Sequence, residues 1–346
     1  MENTSKVIIT NNLNEDLSNI LSNIDYDKLF LLVDNNTEKQ CLPLLSSNIR
    51  SNANIIVIEA GEDKKNIETI VSIWNQLDSM DAKRNSIFIN LGGGVISDLG
   101  GFAASCYKRG IKYINIPTTL LAQVDASSGG KTGFNFNSYK NNIGLFSQPE
   151  NVLISTDFLK TLSQKNILSG YGEMIKHGLI NNGNYLENLL TFNFNNIDYK
   201  QLSLLISTSV KIKVNIVLQD PEEKNIRKIL NFGHTIGHAI ESFALKNNLN
   251  IYHGEAVALG IICELYLSTQ KINFPIEKYE QISSRIKEIY PTFNTENCIN
   301  ELIETMLHDK KNIDSRINFS LLKDVGEYSI DNFCEREEII KALEQL

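Results

Sequence analysis

The sequence carries no C-x-x-C pair, no basic surplus, no long apolar run and no internal repeat. Each absence excludes something. Five cysteines (Cys41, Cys106, Cys263, Cys298 and Cys334) are widely scattered and odd in number. That argues against a disulfide framework and predicts reduced thiols in a cytoplasmic protein, packed as small hydrophobes. A formal charge of −8 argues against general nucleic-acid binding, which relies on a basic surface. An anionic ligand stays compatible with that charge if basic residues gather locally. No run reaches about 18 apolar residues, so no membrane span is expected. The most apolar helix candidate, residues 257–267, is interrupted by Glu264. The opening M-E-N-T-S-K lacks the charged-then-apolar pattern of a signal peptide.

What is present is ordinary for a soluble globular chain: 346 residues, 42% apolar and 21% charged, enough for two domains. Short apolar runs at 7–10, 29–34, 54–59, 86–90 and 113–117 alternate with helix-like stretches such as 67–77. Buried strands alternating with helices predict an α/β domain with a largely parallel sheet. Ligands meet such sheets at the strand ends, where Asp34 sits. The loop A-G-E-D-K-K, residues 60–65, reads as a turn before a helix. At Gly92-Gly93-Gly94 a strand runs into a helix, which predicts a phosphate or pyrophosphate site, although the spacing is not G-x-G-x-x-G. Next come Pro117-Thr118-Thr119 and L-L-A-Q-V-D-A-S-S-G-G-K-T-G. The G-G-K-T string looks like part of a P-loop, but Asp125 stands where the first glycine is required, which rejects a nucleotide triphosphatase. Lys131 and Lys140 read instead as point charges near a phosphate or carboxylate.

From about residue 158 the pattern becomes helical, which places a domain boundary near 157. Glu173 and Lys176 lie three apart, on one helix face. Lys213 falls among Val210, Ile212 and Val214 and is expected to point inward. Arg227 precedes His234 by about two turns, on roughly the same face. Residues 317–321 read as a strand before a last helix. The organising stretch is L-N-F-G-H-T-I-G-H-A-I-E, residues 230–241, where His234 and His238 share a helix face. Two such imidazoles bind a metal together, or one binds it while the other moves protons. His253 lies in H-G-E-A-V-A-L-G and Glu173 in G-Y-G-E-M-I-K-H. Two histidines and a carboxylate with an open position are a common make-up for a catalytic zinc site. Flanking glycines let another segment, or a ligand, approach the backbone.

In this order, G-G-G-V-I-S-D-L-G-G-F, P-T-T-L-L-A-Q-V-D-A-S-S-G-G-K-T, K-N-N-I-G, G-E-M-I-K, R-K-I-L-N-F-G-H-T-I-G-H-A-I-E, H-G-E-A-V and D-K-K-N closely resemble the 3-dehydroquinate synthase family of sugar phosphate cyclases, over nearly the whole chain. The resemblance implies an α/β, Rossmann-like NAD-binding domain over 1–157 and an all-α, metal-binding C-terminal domain over 158–346. It implies a divalent metal, Zn2+ or Co2+, on Glu173, His234 and His253, which leaves His238 as a catalytic group. It places NAD against Asp34, Asn36, Gly61, Glu62, Lys65, Gly94, Val95, Asp98, Thr118, Thr119, Lys131, Lys140, Phe158 and Thr161. It places a phosphorylated sugar acid against Asp125, Lys131, Asn141, Lys176, Lys213, Arg227, Asn231, His238 and Lys310. Arg109 resembles the arginine that reaches a neighbouring subunit's phosphate site, which implies a homodimer. The implied reaction oxidises C5 of 3-deoxy-arabino-heptulosonate 7-phosphate, eliminates phosphate, re-reduces C5 and closes a carbocycle by an aldol step. Tyr139 and Gly133-Phe134-Asn135 depart from the family pattern without removing a charged or metal-binding group. Two other activities compete: a cyclase of the deoxyinosose synthase kind, and a metal- and NAD-dependent polyol dehydrogenase. A non-catalytic binding protein would have little reason to keep Glu173, His234 and His253 together.

Overall fold

The computed structural model describes residues 6–137, 139–181, 184–307 and 316–346. The chain divides into two compact units, Met1–Ser163 and Gln164–Leu346. This division falls a few residues after the change of patterning near 157. The turn Thr156–Thr161 stays with the first unit because Phe158 is buried in that unit's core.

The first unit is built on a parallel sheet. Its strands are β1 (Lys6–Ile9), β2 (Leu29–Asp34), β3 (Ala53–Ile58), β4 (Ile87–Gly92), β5 (Lys112–Pro117) and β8 (Asn151–Ile154), in the order β1-β8-β5-β4-β2-β3. Alternation along each strand feeds two cores. Leu29, Leu31 and Val33 face one helical layer together with Ile87, Ile89 and Leu91. Phe30, Leu32 and Phe88 face the other, which includes Ile70, Ile73, Ile96 and Leu99. Burial on both faces explains why the runs are continuously apolar. From β2 the chain steps to β3 on one side, then returns to β4 on the other. The carboxyl ends of β2 and β4 therefore flank a topological switch point, where ligands bind in open α/β sheets. Asp34 ends β2, and Gly92 ends β4. A separate antiparallel hairpin, β6 (Lys131–Phe136) with β7 (Tyr139–Phe146), lies between β5 and β8 in sequence.

The second unit is mainly helical. The all-α expectation needs one amendment: β9 (Ile317–Asp324) and β10 (Glu327–Cys334) form an antiparallel hairpin. Ile317, Phe319 and Leu321 alternate into the unit's core, and Gly326, with φ of 80°, allows the tight connection. Tyr199–Gln219 is long and apolar enough, by length and composition alone, to cross a membrane. Lys211 and Lys213 interrupt its apolar residues, so it holds no unbroken apolar run. Leu202, Leu205, Ile206, Val210, Ile212 and Val217 on this helix are buried.

Candidate functional site

Three helices of the second unit bring the candidate metal ligands together: Gln164–Ile180 with Glu173, His234–Lys246 with His234 at its first residue, and His253–Ile272 with His253 at its first residue. Glycines set their separation. A methyl group on Gly254 would stand 1.6 Å from the Ser169 carbonyl oxygen, and one on Gly172 would stand 2.2 Å from that of Gly254. The Glu173 and His253 helices thus touch backbone to backbone, one residue from each ligand. Gly260 makes the same kind of contact with the His234 helix, 2.0 Å from the Gly233 carbonyl. The glycines seen beside each ligand in the sequence are what permit the cluster.

Glu173 is fully buried, and its Oε1 faces His234 Nε2 at 3.1 Å and His253 Nε2 at 3.2 Å. Its Oε2 accepts from Lys176 Nζ. The second nitrogen of each ring is occupied: His234 Nδ1 donates to the Phe232 carbonyl at 3.1 Å, and His253 Nδ1 donates to Glu241 at 3.2 Å. Both Nε2 atoms therefore aim at the same carboxylate oxygen, as metal-binding imidazoles are held in known sites. The ligand atoms of Glu173, His234 and His253 lie within 4.8 Å of one another. Among the described residues His238 groups instead with Glu241 and His253, and its ring stands 5.1 Å from that of His234. A carboxylate and two neutral imidazoles suit a divalent cation such as zinc or cobalt.

The same groups set one another's charge, and a cation bound here would take the place of the proton that the two carboxylates favour on His253. Burial would raise the Glu173 carboxyl, but Lys176 and His234 hold it well below the usual carboxylate range. Burial lowers the His234 imidazolium, and Glu173 only partly offsets it. At His253 burial also acts to lower the value, but hydrogen bonds to Glu173 and Glu241 prevail and raise it to about 10. The two rings differ because His253 meets two carboxylates and His234 one.

Basic side chains gather in the same unit. Lys176, Lys213 and Arg227 are all buried. Arg227 Nη1 donates to the Pro221 carbonyl at 2.6 Å. The loop before it is tied down by Asp220, whose carboxylate accepts from the amides of Lys224, Asn225 and Arg227 at 3.0, 2.6 and 3.1 Å. Asn231 donates to Glu223 at 2.8 Å and lines a cavity of about 330 Å³ with Thr235, Asn318 and Ser320. Lys310 lies outside the described residues.

In the first unit, the sheet ends collect most of the residues expected to meet a dinucleotide. Asp34 caps the next helix by accepting from the Asn36 and Thr37 amides. The helix Gly94–Cys106, which starts with Gly94 and Val95, has Gly93 as its N-cap, so no cap side chain takes up its first amides. Thr118 donates its amide to Gly92, and Thr119 lies against Gly93. A π-helical turn, Ala122–Ala126, follows and carries Asp125; such turns are frequent at functional sites. Lys65 joins Asp98 at 2.5 Å and also donates to Asn141. Glu62 accepts from Asn135 at 2.9 Å, which stitches the Gly61 loop to the β6–β7 hairpin. Lys131 and Lys140 are exposed on that hairpin. The Phe158 ring is fully buried in the sheet's core, which leaves its backbone to face a cofactor, while Thr161 is exposed. Arg109 stands apart, exposed on a turn where Lys108, Arg109 and Gly110 all have positive φ.

Sequence reasoning missed two carboxylates, Glu241 and Glu264. Glu241 had a signal: it lies three residues after His238 and seven after His234, on one face. Glu264 showed only as a charge in an apolar helix.

Comparison with known proteins agrees with this geometry. Residues 55–169 match the family model described as 3-dehydroquinate synthase N-terminal, and residues 170–312 the one described as 3-dehydroquinate synthase C-terminal. A 3-dehydroquinate synthase of Parabacteroides distasonis is 48% identical over 341 residues, covering 98% of this chain and 97% of the relative. The fold is similar to that of 2-deoxy-scyllo-inosose synthase complexed with carbaglucose-6-phosphate, NAD+ and Co2+, with a TM-score of 0.88 at 22% identity, covering 98% of this chain and 96% of that one. It is likewise similar to 2-epi-5-epi-valiolone synthase from Streptomyces hygroscopicus with NAD+ and Zn2+ bound, with a TM-score of 0.87 at 22% identity, covering 99% and 96%.

Proposed function

The chain belongs to the 3-dehydroquinate synthase family, and from that premise we propose that it converts 3-deoxy-arabino-heptulosonate 7-phosphate to 3-dehydroquinate and phosphate. It is then a carbon–oxygen lyase acting on phosphates, using NAD and a divalent cation and working as a cytoplasmic homodimer. The observation that carries this reading is one buried carboxylate, Glu173, facing two histidines, with Lys176, Lys213 and Arg227 buried in the same unit.

Glu173, His234 and His253 would hold the cation. Asp34, Gly94, Val95, Thr118 and Thr119 would hold the dinucleotide, with the Lys65–Asp98 pair bracing that loop. When bound, the cation supplies Lewis acidity to the C5 alcohol, and the nicotinamide exchanges a hydride with C5. The protein's own part is binding and proton control. Lys213 and Arg227 meet the anionic groups of the substrate; Arg favours planar, bidentate contact and Lys acts as a point charge. Lys176 neutralises Glu173 from the side away from the imidazoles. His238, close to His253 but outside the ligand set, is placed to take or return a proton at a substrate hydroxyl. Asn231 fixes a hydroxyl and favours this product over a deoxyinosose-type one. Burial excludes water and protects reactive intermediates. Arg109, exposed on a left-handed turn, would reach the phosphate site of a second copy.

The test is a phosphate-release assay with this heptulosonate phosphate while absorbance is followed at the reduced-nicotinamide band. Phosphate and product should appear in equal amounts with no accumulation of NADH. Steady growth of NADH would identify a polyol dehydrogenase instead.

A further inference from the structure

The helix that carries His234 begins without a cap of its own. Its N-cap residue is Gly233, left-handed at φ 79°, and no side chain there caps the first turn. The first amides of any helix lack partners within it. Here they are met from another helix. Glu264 accepts from the Gly233 amide at 2.6 Å through Oε2, and from the Thr235 and Ile236 amides at 3.1 and 3.2 Å through Oε1. Glu264 is fully buried, between Cys263 and Leu265, which are also fully buried. A buried carboxylate is costly unless hydrogen-bonded, and three amides at the positive end of a helix offset that cost.

The placement has a consequence. Glu264 lies about three turns beyond His253 on the same helix, so the two share a face. One helix thus presents His253 directly and also grips the origin of the helix that presents His234. The gripped amides, Gly233 and Thr235, flank His234 in the chain. We propose that Glu264 is a positioning residue of the metal centre: it holds His234 in register with His253 and raises affinity for a divalent cation that it does not touch. The inference rests on the metal reading given above.

The experiment is a cobalt(II) titration of metal-free protein, followed by the visible absorption of the bound ion, on the wild type, Glu264→Gln and Glu264→Asp. All are measured well below their melting temperatures. Glu264→Gln keeps the shape and one acceptor oxygen but turns an NH2 toward either the Gly233 amide or the Thr235 and Ile236 amides. It should bind cobalt roughly tenfold or more weakly, the range for loss of a residue supporting a ligand, with a shifted spectrum. Glu264→Asp, which retains the charge, should recover part of the affinity. A merely structural role would lower the melting temperature and leave affinity and spectrum unchanged, which would overturn the proposal. If the wild type itself binds no cobalt, the metal reading falls and takes this proposal with it. If the wild type binds and Glu264→Gln matches it, the proposal alone falls. Should neither variant fold, hydrogen exchange of residues 233–236 in the wild type decides. Cobalt should slow it severalfold, and unchanged exchange overturns the proposal.

Discussion

His253 Nδ1 stands 3.2 Å from Oε2 of Glu241, while the ring's other nitrogen faces Glu173. One helix therefore orients a ligand that belongs to the next. A carboxylate behind a metal-binding imidazole fixes its rotation and strengthens its donor nitrogen. Glu241→Gln should weaken zinc binding by roughly 10–100-fold, measured by competition with a chromophoric chelator. Added zinc should restore most turnover. Affinity within twofold of the wild type would show that Glu241 only fills space.

Gly254 offers a sharper test of how the centre is assembled. A methyl group there would overlap the Ser169 carbonyl at 1.6 Å, and backbone cannot rotate away as a side chain would. Gly254→Ala must push the Glu173 and His253 helices apart. The expected cost is roughly 1–3 kcal/mol or more of stability, the usual range for overpacking. Metal retention should fall with it, because both ligands adjoin the contact. Thermal melting and metal content after dialysis check the two effects together. A variant that melts normally and keeps its metal would show that the crossing relaxes.

These two sites also show how far the sequence could be read. The glycines flanking His234 and His238 predicted a close approach, and Gly233 and Gly237 provide it against the helix that starts at His253. Apolar runs gave the parallel sheet, because strands buried on both faces have no polar side. The ligand set was not legible locally. Spacing alone pairs His234 with His238; the family resemblance implied Glu173, His234 and His253 instead, and the folded chain brings those three together. Glu264 was opaque for the same reason: the amides it caps lie about thirty residues earlier, on another helix. Phe158 serves the core with its side chain, which its place among the expected cofactor-binding residues did not show. The β6–β7 hairpin had no clear alternation to announce it. Asn135 and Asn141 tie it to Glu62 and Lys65, contacts between residues far apart in the chain.

Arg109 carries a prediction about assembly. Two consecutive long side chains in the left-handed region, Lys108 and Arg109, cost about 1–2 kcal/mol each relative to ordinary backbone. The turn keeps Arg109 exposed despite that cost. Arg109→Ala should lower turnover by at least tenfold with little change in melting temperature. Mixed with inactive His238→Ala protein, it should regain part of its activity, because a hybrid dimer holds one site with both residues intact. No recovery after verified subunit exchange would confine Arg109 to its own subunit.

Asp220 supplies the pH dependence. Burial would raise its carboxyl, but three amide donors, from Asn225, Lys224 and Arg227, bring it below the ordinary value of 3.8. A carboxyl lowered on folding stabilises the protein at pH above its unfolded value. That contribution is lost as pH falls through the lower, folded value. Asp220→Asn removes it and loosens the turn that leads to Arg227. The variant should unfold at a lower urea concentration than the wild type at pH 7, by the same margin down to about pH 5. Below the ordinary value of 3.8 the margin should shrink, because the wild type then loses its charge as well. Turnover should fall too, with KM rising more than kcat, since Arg227 would be less well placed for an anionic substrate. Urea midpoints measured from pH 3 to pH 7 decide the matter. A margin that stays constant to pH 3 would mean that the neutral hydrogen bonds, and not the charge, hold this loop.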